Sequence, residues 1–143
     1  MIGSSPYSVL VMPREARLEF KRIMMAHDGS VFGESAWRQV IPLAQRYNSD
    51  VTAVSVGRDN IRQSECQIVL QHLAASAERH SIKLQPLFLK GRPFEQIVHI
   101  AKGLKIDLIV MGTYGLRGSD RILIGSVAER VIEYSPCPVI VIK

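Results

Sequence analysis

From residue 22 onward, short apolar segments of strand length alternate with longer stretches in which apolar residues recur at helical spacing. This alternation constrains the fold more than any other feature. A strand followed by a covering helix returns the chain to the start of a neighbouring strand, so its repetition dictates a parallel sheet with helices on its faces. Five strands are predicted, at residues 22–27, 51–56, 83–89, 107–111 and 138–142. The last two are almost wholly apolar, as strands covered on both faces must be.

Between them, Ser30 is the expected N-cap of a helix reaching residue 47, with Pro42 inside it bending or breaking the helix. Cys66, Val69, Leu70, Leu73 and Ala77 form one apolar stripe of a second helix over 61–80. A third starts at Pro93, a residue suited to the first turn, and should bury Ile97, Ile100, Ala101 and Leu104. The fourth begins near Ser126 and closes at Ser135 and Pro136.

At 143 residues the chain matches one domain, with 47% apolar and 22% charged residues arguing against disorder. No apolar run approaches the roughly 18 to 20 residues of a membrane span, so a soluble protein is expected. The first residues lack the pattern of a secretory signal, which makes a cytoplasmic location the expectation. Cys66 and Cys137 are read as reduced core thiols, and Trp37, Met24 and Met25 as core. His72, His80 and His99 lack a closely spaced second metal ligand and read as structural or surface histidines; no metal site is expected. The net charge of +5 favours an anionic ligand or partner without saying which.

Residues 1–21 form an extension outside the 22–143 domain. Within it, SPYSVLVM (5–12) aligns without gaps on SPCPVIVI (135–142), sharing Ser, Pro and two Val. Two readings stand: the last strand of a preceding copy of the same domain followed by a charged linker, or an ordinary apolar tail.

The chemistry concentrates in DLIVMGTYGLRGSDRILIGSVAER, residues 107–130. A strand ends in Gly112 and Gly115, and a helix begins at Gly125 and Ser126. Backbone amides approach phosphate oxygens where no Cβ intervenes, and the free amides of a helix's first turn add donors and a favourable dipole. Both devices lie at the carboxyl end of a sheet strand, where open α/β folds place their ligands.

The string Gly112-x2-Gly115-x9-Gly125-Ser126 after LIVM (108–111) resembles the ATP-binding signature of the universal stress protein family. IMMAHDGS (23–30), GRP (91–93) and SPCPVIVI (135–142) are similar to that family's opening strand and turn, third-helix start and closing strand. The resemblance implies a five-stranded parallel sheet in the order 3-2-1-4-5, of the adenine nucleotide alpha hydrolase-like kind. It also implies a cytoplasmic stress-response protein, and a homodimer through the last strand. Carried over by position, Ala26, His27, Asp28 and Val56 border the adenosine, and Met111, Gly112, Gly115, Gly125, Ser126 and Val127 border ribose and phosphates. The ligand is then ATP, with AMP and ADP as alternatives, and Mg2+ or Mn2+ held through the phosphates.

His27 departs from the Thr usual in the family; its imidazole could stack on the base, narrow the pocket or point away. Asp28 reads either as a ribose or base partner or as a turn residue ahead of Ser30. Arg117 and Arg121 are candidates for phosphate charge or for a solvated surface. A nucleotide-dependent regulator is the leading reading. Slow ATP hydrolysis, or an interaction module without nucleotide, are the alternatives, and no catalytic residue is assigned because no G-x-x-x-x-G-K-[ST] motif occurs. A phospho-receiver is disfavoured because residues 89–92 read LKGR, without an acceptor Asp. A nucleic-acid module is disfavoured because aromatics are only 6%, too few for stacking platforms. The regulatory partner is not identified by the sequence.

Overall fold

The computed structural model describes residues 8–113 and 125–143. In chain order the elements are β1 (Val9–Val11), β2 (Arg22–Ala26), α1 (Val31–Tyr47), β3 (Asp50–Gly57), α2 (Asn60–Arg79), β4 (Lys83–Lys90), α3 (Pro93–Gly103), β5 (Leu108–Gly112), α4 (Ser126–Tyr134) and β6 (Val139–Ile142). The sheet order is β1-β6-β5-β2-β3-β4. The five expected strands are therefore present in the expected order, all mutually parallel. A sixth, β1, joins them antiparallel along the outer edge of β6.

Strand alternation divides the core in two. Ile23 and Met25 of β2 face α1 and α2, joining Trp37, Val40, Leu70 and Leu73. Met24, one residue between them, faces the other way and joins Ile97, Ala101, Ala128 and Val131 of α3 and α4. Each face of the sheet is thus sealed by one helix pair, which explains why β5 is buried at four consecutive positions. Pro86, which has no N–H, is admissible in β4 because β4 is an outermost strand.

The Ser30 side chain caps α1, accepting from the Gly33 N–H at 3.1 Å. The local break expected at Pro42 does not occur: α1 runs unbroken to Tyr47, held by the buried stripe Ala36, Trp37, Val40 and Ala44. The second helix starts a residue earlier than expected because Asp59 caps it, accepting from the Arg62 N–H at 2.8 Å. One core assignment fails. Leu104 lies past the end of α3 and is 43% exposed, while Val98 is buried instead. The stripe was extended one turn too far, across the Gly103 where the helix stops. Cys66 and Cys137 are buried and unpaired, and burial pushes the Cys137 thiol up, away from reactivity.

Candidate functional site

β2 is the strand from which the chain winds both ways: it pairs with β3 on one side and β5 on the other. The crevice between the carboxyl ends of β2 and β5 is the topological switch point, the place where such sheets take ligands. Ala26 and Met111 are direct neighbours across it.

On the α3/α4 side, four of the expected site residues converge. Met111 is buried in the second core cluster, and Ala26, Val56 and Val127 pack against it half-buried. They form an apolar rim at the carboxyl end of the sheet. Beside it lies a cleft of about 350 Å³ lined by Arg58, Arg92, Pro93, Phe94, Ser126, Val127 and Arg130. Three arginines from three different segments meet there: one after β3, one before α3 and one on α4. Arg130 is steadied by the Phe94 ring, its guanidinium 4.9 Å from the centroid. Arg92 lies 3.6 Å from Glu95, an exposed pair too weak to consume its charge. The first-turn amides of α4 add the positive end of the helix dipole. A larger groove, about 830 Å³, opens among Arg22, Lys83 and Lys105 at the opposite, amino-terminal end of the strands. That end carries none of the converging loops.

The stem of the 112–125 connection is fixed by Thr113. This buried residue donates from its N–H to Ile142 O at 2.8 Å and from Oγ1 to the same oxygen at 2.6 Å. Its own carbonyl accepts from the Gly125 N–H at 2.7 Å. The end of β5 and the start of α4 are thereby tied to each other and to β6. Gly125 and Ser126 sit where the sequence placed them, at the N-cap and first residue of α4. Gly115, Arg117 and Arg121 lie outside the described residues.

Gly112 has a second reason to be glycine. A Cβ there would meet Phe32 at 2.6 Å from its Cβ and 2.8 Å from its carbonyl carbon, so the first turn of α1 packs onto bare backbone.

His27 lies on the α1 side, away from the rim. Its ring is buried, and Nδ1 accepts from the Gly29 N–H at 2.9 Å while Nε2 faces Glu34 Oε1 at 3.0 Å. Accepting at Nδ1 requires that Nε2 carry the proton, so the neutral ring donates to Glu34. His72 approaches the same carboxylate oxygen at 3.4 Å. Burial holds the His27 pKa below its usual value, outweighing the opposite pull of Glu34. Gly33 covers the ring so closely that a Cβ would stand 2.5 Å from Nδ1. Of the three options open to His27, pointing away is the one adopted. Asp28 is exposed, with Oδ1 accepting from the Ser30 N–H at 3.0 Å, as a turn residue does.

Sequence reasoning missed the arginine cleft and Thr113. Arg58 directly follows the end of β3, Arg92 lies two residues past the end of β4, and Arg130 stands four residues from Ser126 on the same helical face; those positions were the available signal. Among the described residues, no helix is long and apolar enough to cross a membrane.

Residues 19–143 match the sequence profile of the Universal stress protein family. Universal stress protein MJ0531 of Methanocaldococcus jannaschii is 35% identical over 140 residues, covering 87% of this chain and 82% of its own length. The structure of protein MJ0577 from the same organism superposes with a TM-score of 0.81 at 28% identity, covering 87% of this chain and 96% of the other. A universal stress protein from Archaeoglobus fulgidus, solved in complex with dAMP, matches with a TM-score of 0.70 at 21% identity, over 89% and 100% of the two chains. With the winding order, the switch-point crevice and the glycine-led start of α4 all in place, the chain belongs to the universal stress protein family.

Proposed function

We propose that this protein binds ATP and acts in the cytoplasm as a nucleotide-dependent regulator of stress survival. The observation that carries this reading is the adjacency of the apolar rim to the three-arginine cleft at the start of α4. Adenosine lies against Ala26, Val56, Met111 and Val127. Its phosphates reach toward Gly112, Gly125 and Ser126 and toward Arg58, Arg92 and Arg130, whose forked donors suit phosphate oxygens. Gly115 belongs to the same phosphate-binding segment in this reading, and Asp28 accepts from a ribose hydroxyl. His27 acts from behind, by fixing the turn that carries Asp28. The dAMP bound by the Archaeoglobus relative supports an adenine nucleotide as the ligand class.

Among the described residues, no group of three or more His, Cys, Asp or Glu could cage a metal. In this reading a divalent cation such as Mg2+ or Mn2+ enters with the nucleotide, ligated by phosphates. Binding without rapid turnover is expected because the sequence carries no G-x-x-x-x-G-K-[ST] motif. Bound nucleotide stabilises the fold by mass action, about 2.7 kcal/mol at a concentration of 100 Kd. One observation favours an interaction module without nucleotide: Gly112 is demanded by Phe32 whether or not phosphate binds.

Calorimetric titration with ATP, ADP, AMP and adenosine, each with and without Mg2+, separates the readings. Affinity rising with phosphate number and falling with salt is expected. Equal affinity for ATP and adenosine would remove the arginine cleft from the site. Absence of any thermal shift or heat with all four would leave the interaction module. ATP turnover of several per second would replace the regulator by an enzyme.

A further inference from the structure

The pairing of β1 with β6 has an internal symmetry. Val9 stands opposite Val141, Leu10 opposite Ile140 and Val11 opposite Val139. In the gapless alignment of residues 5–12 on 135–142, Val9 corresponds to Val139, Leu10 to Ile140 and Val11 to Val141. Each residue of β1 therefore pairs with the β6 position that its own counterpart would meet if β6 paired antiparallel with a second β6 about Ile140. That is the register of a two-fold symmetric, self-complementary contact, in which residue i meets j and j meets i. A one-residue slip would have reversed every side chain and destroyed the correspondence.

We propose that β1 is a resident imitation of a second copy's β6, seated on the edge through which the family resemblance implies a homodimer. Pairing through β6 and displacement of β1 are then one equilibrium. The intact chain, with its edge occupied, is held out of the β6–β6 dimer. Descent of β1 from the closing strand of a preceding domain copy accounts for both the shared residues and the register.

The attachment of β1 suits exchange. The strand has three residues and, among the described residues, pairs only with β6, and Leu10 and Met12 remain 40% and 42% exposed. The ten residues 12–21 carry five charges, at Arg14, Glu15, Arg17, Glu19 and Lys21. They are fixed near their end, where Phe20 stacks on Tyr47 with centroids 4.5 Å apart. Release of β1 therefore leaves the core and the nucleotide crevice untouched. The edge it uncovers is a row of unpaired backbone donors and acceptors, which a matching strand completes.

Sedimentation of the full chain and of its Val9→Pro variant tests the idea, because Val9 and Val141 form a hydrogen-bonded pair and proline removes that N–H from the ladder. The intact protein is expected to be monomeric at about 50 μM, and the variant to dimerise with a dissociation constant at least about tenfold lower. A cysteine readout covers the case in which the variant misfolds. In an otherwise native chain, Leu10→Cys with Ile140→Cys should oxidise within one molecule, since directly opposed Cβ atoms lie within disulfide reach. Ile140→Cys alone should crosslink two chains only when β1 is removed or disrupted. An intact chain that crosslinks freely through Cys introduced at 140, or a folded Val9→Pro variant that stays monomeric, would overturn the proposal.

Discussion

The two faces of the sheet at its carboxyl end use similar residues in opposite ways. On the α1 side, Gly33, Gly112 and His27 are spent on packing: the glycines admit α1, and both ring nitrogens of His27 are engaged. On the α3/α4 side, Ala26, Val56 and Val127 stop half-buried, and Arg58, Arg92 and Arg130 stand exposed around a cleft. Side chains that already satisfy one another leave a ligand little beyond the backbone amides at their margin, whereas unspent apolar surface beside clustered charge is what the proposed site is built from. Closed and open faces therefore answer differently to substitution.

The largest effect should come from the closed face. Gly112→Ala forces a Cβ into the backbone of Phe32 and should cost about 2 to 3 kcal/mol of folding stability, read as a lower urea midpoint. A change below about 0.5 kcal/mol would mean that α1 retreats easily and that the face is not closed. The complementary prediction concerns the open face: Arg92→Ala should weaken ATP binding about tenfold while shifting folding stability by no more than about 0.5 kcal/mol. Comparable losses of both would show that the cleft is structural.

A third prediction uses pH. The His27 pKa is depressed in the folded state by burial, so the unfolded chain binds the proton more readily. Stability is therefore full above the unfolded value near 6.5 and declines as pH falls through it toward the lower folded value. His27→Gln, which keeps a donor toward Glu34, should flatten that decline in urea titrations between pH 8 and 5. An unchanged slope would assign the decline to other groups. The smallest effect belongs to Ser55, whose buried Oγ finds no hydrogen-bond partner among the described residues. Ser55→Ala should be neutral or stabilise by up to about 1 kcal/mol, and a clear loss on thermal melting would reveal an unseen partner.

The sequence carried the fold because hydrophobic period is a local property. Period-two and period-3.6 stretches identified five strands and four helices, and their alternation fixed parallel pairing without knowledge of any contact. The site was half legible. Gly125 and Ser126 could be located because helix starts have residue signatures, and the apolar rim because strand ends can be counted. The arginine cleft was not legible, since Arg58, Arg92 and Arg130 are far apart in the chain and each reads as ordinary surface charge. His27 was undecided for a related reason: only the positions of Gly29, Glu34 and Gly33 in space determine which way its ring turns.

By itself, then, the sequence determined the α/β winding, the strand order implied by the family resemblance and the segment proposed to hold an anion. Tertiary structure alone decided which of those residues stay exposed, and that Val9–Val11 of the repeated segment pair with Val139, Ile140 and Val141. Backbone period and capping act within a few residues, so they are written locally. Convergence, burial and edge occupancy depend on which distant segments meet, and that is settled when the chain closes on itself.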